Sequence, residues 1–124
     1  MIIHYLWIGF GGALGAIARA VVGSLLPSQL LGMPIQIIAV NIIGSGIMGF
    51  LTEVMALYWS PPDGVRYFLL AGFLGGFTTF SSFALETGLL VERNEILLSI
   101  LYVTLSVAFS LGAFFLGMRV VRLF

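Results

Sequence analysis

The residues best suited to chemistry in this chain are neutral hydrogen-bonding groups: Asn41, a run of hydroxyls at Thr78, Thr79, Ser81 and Ser82, and the series Ser99, Tyr102, Ser106 and Ser110. The run of hydroxyls alternates with the rings of Phe77, Phe80 and Phe83. Amides and hydroxyls donate and accept hydrogen bonds without carrying charge. Set close together, they can replace the water around a small hydrated ion and pass it on through weak serial contacts. The rings add a second device, because their edges carry positive quadrupole charge and an anion can lie against them. Plainer roles remain open at each position. Asn41 could tie two helices together, the rings could fill core or face lipid, and a serine could bond its own helix backbone. The spacing of 3, 4 and 4 puts the Ser99–Ser110 series on one helix face, which suits either a polar track or an interhelical seam.

Enzyme chemistry finds little to work with. Without cysteine there is no thiol nucleophile, disulfide or thiolate metal site, and the single His4 stands at the amino-terminal edge, suited to a headgroup-facing position. Gly44-Ser45-Gly46 would need a histidine base, and His4 lies at the wrong depth to be one. Gly11-Gly12-Ala13-Leu14-Gly15 follows no strand and belongs to no βαβ unit, so it is not a dinucleotide fingerprint. The chain is expected not to be an enzyme. Its net charge of zero points to neither nucleic acid nor a polybasic lipid contact.

The elements that carry these groups must cross a membrane. Of the 124 residues 60% are hydrophobic and only 8% charged, against about a quarter charged in soluble domains. Mean hydropathy is +1.18. Four apolar segments, about 2–26, 35–57, 65–91 and 96–121, each reach the roughly 20 residues a spanning helix needs. Together they make residues 1–124 one transmembrane domain of all-α class. The first segment has no basic start and is interrupted by glycines and Arg19, so it reads as a retained helix rather than a signal peptide. Short turns at 27–34, 59–64 and 92–95 make successive helices antiparallel. Trp7, Tyr58, Trp59 and Tyr67 near segment ends suit an aromatic belt.

The third segment is the odd one, with Gly72, Gly75 and Gly76 followed by the hydroxyl run at mid-span. An opened helix at that depth is tolerated only where protein or a wet path covers it, so a break is predicted near Gly75-Gly76. Carbonyls ending the first half could then face a cation and amides opening the second half an anion. Four helices cannot bury such a break alone, so a second copy is expected. Gly11/Gly15 and Ser45/Gly49 offer small-residue faces for close helix approach. Lysine is absent and the five arginines divide three to two between the faces, a weak orientation bias that leads us to expect insertion both ways and an antiparallel, dual-topology homodimer. Arg19 and Glu86 lie farthest inside their segments and are either site residues or snorkelling side chains, whereas Glu53 is expected to be solvated.

Taken in order, Gly12-Ala-Leu-Gly-Ala-Ile-Ala-Arg19, Asn41 with Gly44 and Gly49, Gly72-Phe-Leu-Gly-Gly-Phe-Thr-Thr-Phe-Ser-Ser-Phe-Ala-Leu-Glu86 and the Tyr102/Ser106/Ser110 stripe resemble the Fluc fluoride channels, also called CrcB proteins, over essentially the whole chain. Ser82 stands where that family often has threonine and keeps the hydroxyl. The resemblance implies a multi-pass protein of a prokaryotic inner (plasma) membrane. It would be a dual-topology homodimer with two antiparallel pores that export fluoride passively and confer fluoride resistance. By the same likeness Phe80 and Phe83 would be the pore-facing rings, and Asn41 a donor to fluoride. Thr79, Ser81, Tyr102, Ser106 and Ser110 would form the polar track, with Arg19 shaping a vestibule. Backbone carbonyls of Gly75 and Thr78 from both subunits would hold a structural sodium ion. The main rival, a small proton-coupled multidrug antiporter, needs a carboxylate deep in the membrane, and the first segment has none. A structural subunit without transport is the other.

Overall fold

The structure is a computed structural model that describes all 124 residues, Met1–Phe124. Helix α1 spans Ile2–Ser24 and leads into a small hairpin, β1 (Gln29–Leu30) paired antiparallel with β2 (Met33–Pro34). Leu31 and Gly32 form its tip with φ of 56° and 82°, the two left-handed positions a tight hairpin turn requires. Then follow α2 (Gln36–Leu57), α3 (residues 63–77), α4 (Phe80–Glu92) and α5 (Ile96–Arg122). Four stretches are long and apolar enough to cross a membrane: Ile2–Ser24, Gln36–Leu57, Asp63–Glu92, which joins α3 to α4, and Ile96–Arg122. Only 16 of 124 residues are buried, so most of the apolar surface faces outward, toward lipid or another chain.

Two backbone-close seams organise the bundle: α1 packs chiefly on α3, and α2 chiefly on α5. In the first, a Cβ on Gly15 would strike the Phe73 carbonyl, and one on Gly76 the backbone of Gly12. In the second, a Cβ on Gly49 would strike the Phe114 carbonyl. Glycine at these places allows the near contact of helix backbones on which membrane packing depends.

Within α3, residues Tyr67–Leu74 are π-helical, and Gly75 N–H donates to the Leu70 carbonyl five residues back. Gly75–Phe77 then return to α-helical geometry. The break expected near Gly75-Gly76 therefore lies just beyond that pair, whose own geometry is helical. Helical dihedrals are left at Thr78 (φ −89°, ψ 159°) and Thr79 (φ −153°, ψ 122°). The physical reason is that Gly76, like Gly72, is occupied in the α1 seam, where its missing side chain is needed for approach rather than for unwinding.

Candidate functional site

The departure from helix at Thr78-Thr79 is held by α2. The Asn41 amide meets the Thr79 peptide group from both sides: Thr79 N–H donates to Asn41 Oδ1 at 2.8 Å, and Asn41 Nδ2 donates to the Thr79 carbonyl at 3.0 Å. A side-chain amide carries the same donor and acceptor as a peptide, so it can substitute for the helix partners that Thr79 has lost. Thr79 in turn caps α4, its Oγ1 accepting from Ser82 N–H at 3.1 Å. Thr78 Oγ1 donates back to the Leu74 carbonyl at 2.9 Å, closing the end of α3.

These diversions free two carbonyls. In an unbroken helix Gly75 C=O would accept from Thr79 N–H and Thr78 C=O from Ser82 N–H. The first of these donors is taken by Asn41 and the second by Thr79 Oγ1. Neutral oxygens of this kind suit a hard monovalent cation. Two from one chain are too few to complete its shell. No three of His, Cys, Asp and Glu come together.

Beside the break lies a cleft of about 320 Å³ lined by residues of α2, the Thr78-Thr79 linker, α4 and α5. It gathers Asn41, Thr79, Phe80, Phe83, Ser106 and Ser110, with Ser45 and Thr78 completing its polar lining. Ser45 was legible only as a small packing residue; the signal that could have marked it is its place one helical turn after Asn41, on the same face. Two rings line the wall, and Tyr102, fully buried and outside the lining, backs one of them. Phe80 and Phe83 have centroids 5.4 Å apart, and Phe83 stacks on Tyr102 at 5.6 Å with 16° between planes. Phe80 is 79% exposed.

The α5 series divides. Ser99, Tyr102 and Ser106 are all buried, as residues on one inward face should be. Ser99 Oγ donates to the Thr87 carbonyl at 3.4 Å, a helix-packing role. The Tyr102 hydroxyl and Ser106 Oγ are buried with no partner in the protein. Buried polar groups are nearly always satisfied, so an unpaired pair beside a polar cleft points to a group that arrives from outside the chain. Ser81 stands apart from the cleft lining, with Oγ 3.3 Å from Thr79 Oγ1.

Other sequence candidates are not brought to this cleft. Arg19 lines a separate cavity with Ser24 and Gln36. Glu86 is half-buried on α4 and does not line the cleft. Glu53, expected to be solvated, is instead 7% exposed and receives two hydrogen bonds from Arg122, at 3.0 and 3.2 Å. The expectation counted distance from the helix end and missed that α5, packed along α2, covers that end and supplies the cation.

The cleft, with its amide, hydroxyls and rings, lies in a chain whose four long apolar helices are those of a multi-pass membrane protein. Residues 6–118 match the family described as "CrcB-like protein, Camphor Resistance (CrcB)". The chain belongs to this family. It is 43% identical over 116 residues to the fluoride-specific ion channel FluC of Rhodospirillum centenum, covering 93% of this chain and 92% of that one. It is 40% identical to the channel of the same name from Granulibacter bethesdensis over 95% and 94% of the two chains, and 42% identical to that of Francisella tularensis over 94% and 92%. These relatives are named as channels, not enzymes.

Proposed function

We propose that this chain forms a fluoride-selective channel through which fluoride leaves the cell passively, down its electrochemical gradient, so that the protein confers fluoride resistance. The observation that carries the reading is the cleft in which Asn41, Thr79, Ser106 and Ser110 face the rings of Phe80 and Phe83. Fluoride is small and holds its water strongly, so a conducting path must offer close-set donors in place of that water, yet no site deep enough to trap it. Neutral hydroxyls and one amide meet both conditions. The free hydroxyl of Tyr102 and Ser106 Oγ are donors without another use. The relatives' naming as fluoride-specific channels supports the choice of ion.

The functional unit is an antiparallel, dual-topology homodimer with two pores. The single chain leaves Phe80 uncovered and the cleft open along one side. A second copy closes the wall, and a twofold arrangement makes two such paths. Carbonyls of Gly75 and Thr78 from both copies would hold a structural sodium ion, whose charge favours anions in the flanking paths. Arg19 shapes the vestibule at the mouth. The bacterial sources of the relatives support location in a prokaryotic plasma membrane, the inner membrane where there are two. Proton-coupled export of a cationic drug gains no support, since no carboxylate lines the cleft.

The test is efflux from liposomes loaded with potassium fluoride or potassium chloride and triggered with valinomycin. Fast fluoride release with no chloride release is expected; equal release of both ions, or none from vesicles containing folded dimer, overturns the reading. Tags on the termini should be reached from both sides of the membrane in cells, and detection from one side only would remove dual topology.

A further inference from the structure

Ser45 lines the polar cleft with Asn41, Ser106 and Ser110, one helical turn beyond Asn41 on the same face of α2. A serine or threonine inside a helix commonly donates to a carbonyl of its own preceding turn. Ser24, Thr78 and Thr87 do so here, each to a carbonyl three or four residues back. Ser45 is half-buried and its Oγ makes no hydrogen bond within the chain, so its proton is left to the cleft.

The place of Ser45 along the cleft follows from how α2 and α5 run. A Cβ on Gly46 would meet Ala113, one on Gly49 Phe114, and one on Gly117 the backbone of Gly46 and Phe50, while Glu53 pairs with Arg122. The numbers rise together, so the two helices point the same way, and a residue of α2 is level with the one about 67 positions later on α5. Ser106 then stands level with about residue 39 of α2, and Ser110 with about residue 43. The donors alternate between the two walls in the order Ser106, Asn41, Ser110, Ser45, each about two residues, or about 3 Å, farther along the axis. Beyond Ser110 the next turn of α5 is Ala113-Phe114, which has no hydroxyl, and there the helix backbones meet at Gly49. Ser45 is therefore the last donor that these two walls offer.

We infer that Ser45 is a step of the conducting path, a hydroxyl on α2 that exchanges fluoride with Ser110 across the cleft. The inference rests on the reading of the cleft as a fluoride path. An axial step of about 3 Å lets a small ion touch the next donor before it leaves the last, which is what weak serial sites require.

The test is fluoride efflux from liposomes for the wild type and for Ser45→Ala, with the Tm of each in detergent. Alanine keeps the small size that packing needs and loses only the hydroxyl, so efflux should slow about fivefold, the worth of one neutral hydrogen bond, at an unchanged Tm. Ser45→Ala with Ser110→Ala removes neighbouring steps and should slow efflux by more than the product of the two single effects. Ser45→Ala with Ser106→Ala removes separated steps and should not exceed that product. A wild-type rate in Ser45→Ala overturns the step, and so does a slowed rate accompanied by a lowered Tm, which would give Ser45 to packing. Equal coupling in the two pairs overturns it as well, since it takes Ser45 out of the order. A wild-type protein that releases no fluoride defeats the channel reading and this step with it, whereas a conducting wild type beside an unaffected Ser45→Ala defeats the step alone.

Discussion

Two of the polar contacts that helix α2 makes with its neighbours differ in kind. Asn41 meets the Thr79 peptide through a neutral amide, whereas Glu53 meets Arg122 through full charges. At 1.5 Å per residue the two positions are about 18 Å apart along the helix, more than half the hydrocarbon thickness. The deeper contact is the uncharged one, and the charged one sits where Arg122 keeps 58% of its side chain exposed. An ion near the surface keeps its water, while an ion at mid-depth must be neutralised completely. The protein thus opens its backbone with a group that satisfies it without leaving a fixed charge beside the cleft.

The largest effect should come from charging the deep contact. Asn41→Asp removes the donor to the Thr79 carbonyl and adds a carboxylate costing about 3 kcal/mol at mid-membrane, so fluoride efflux should fall about 100-fold or more. Unchanged flux would remove Asn41 from the path. Phe80→Ile and Phe83→Ile come next: efflux should be lost while size-exclusion chromatography still shows dimer, because the rings line the cleft and hold no backbone group. Full flux through either would end the ring assignment. Gly49→Ala drives a Cβ into the Phe114 carbonyl and should cost about 1–3 kcal/mol, read as a lowered Tm in detergent. Glu53→Gln should cost about 1 kcal/mol or less, since the amide still accepts from a half-exposed Arg122, with flux retained. A loss as large as that of Asn41→Asp would erase the contrast between the two contacts. Smallest of all, Gly88→Ala meets nothing within 4 Å and should gain up to about 1 kcal/mol of helix stability.

Hydropathy alone made the four spans legible, since length and apolar composition are what the bilayer demands of a helix. The grouping of Asn41 with Thr79, Phe80, Phe83, Ser106 and Ser110 was foreshadowed by residue type and spacing, although each had a plainer use open to it and Asn41 does tie α2 to the Thr79 peptide. What the sequence left approximate was the position of the break, expected near Gly75-Gly76 and placed at Thr78-Thr79. Glycine reads equally as a place to unwind and a place to approach, and only the partner helix decides; Gly76 proved to face Gly12. Thr78 and Thr79 carried a subtler sign, two β-branched residues whose oxygens can terminate one helix and cap the next. Glu53 was misread for a related reason, as its partner lies 69 residues away.

The reciprocal bond between Asn41 and Thr79 also constrains how the chain is made. Residue 41 leaves the ribosome before residue 79, so the second span is already in the membrane when the third arrives. Until the two meet, Thr79 has no substitute for its helix partners, and lipid offers none. The third span therefore enters most cheaply as a continuous rod and opens only on docking. On this argument assembly rather than insertion opens the helix, and a variant lacking the amide should still span the bilayer while losing the contact that holds the Thr79 peptide.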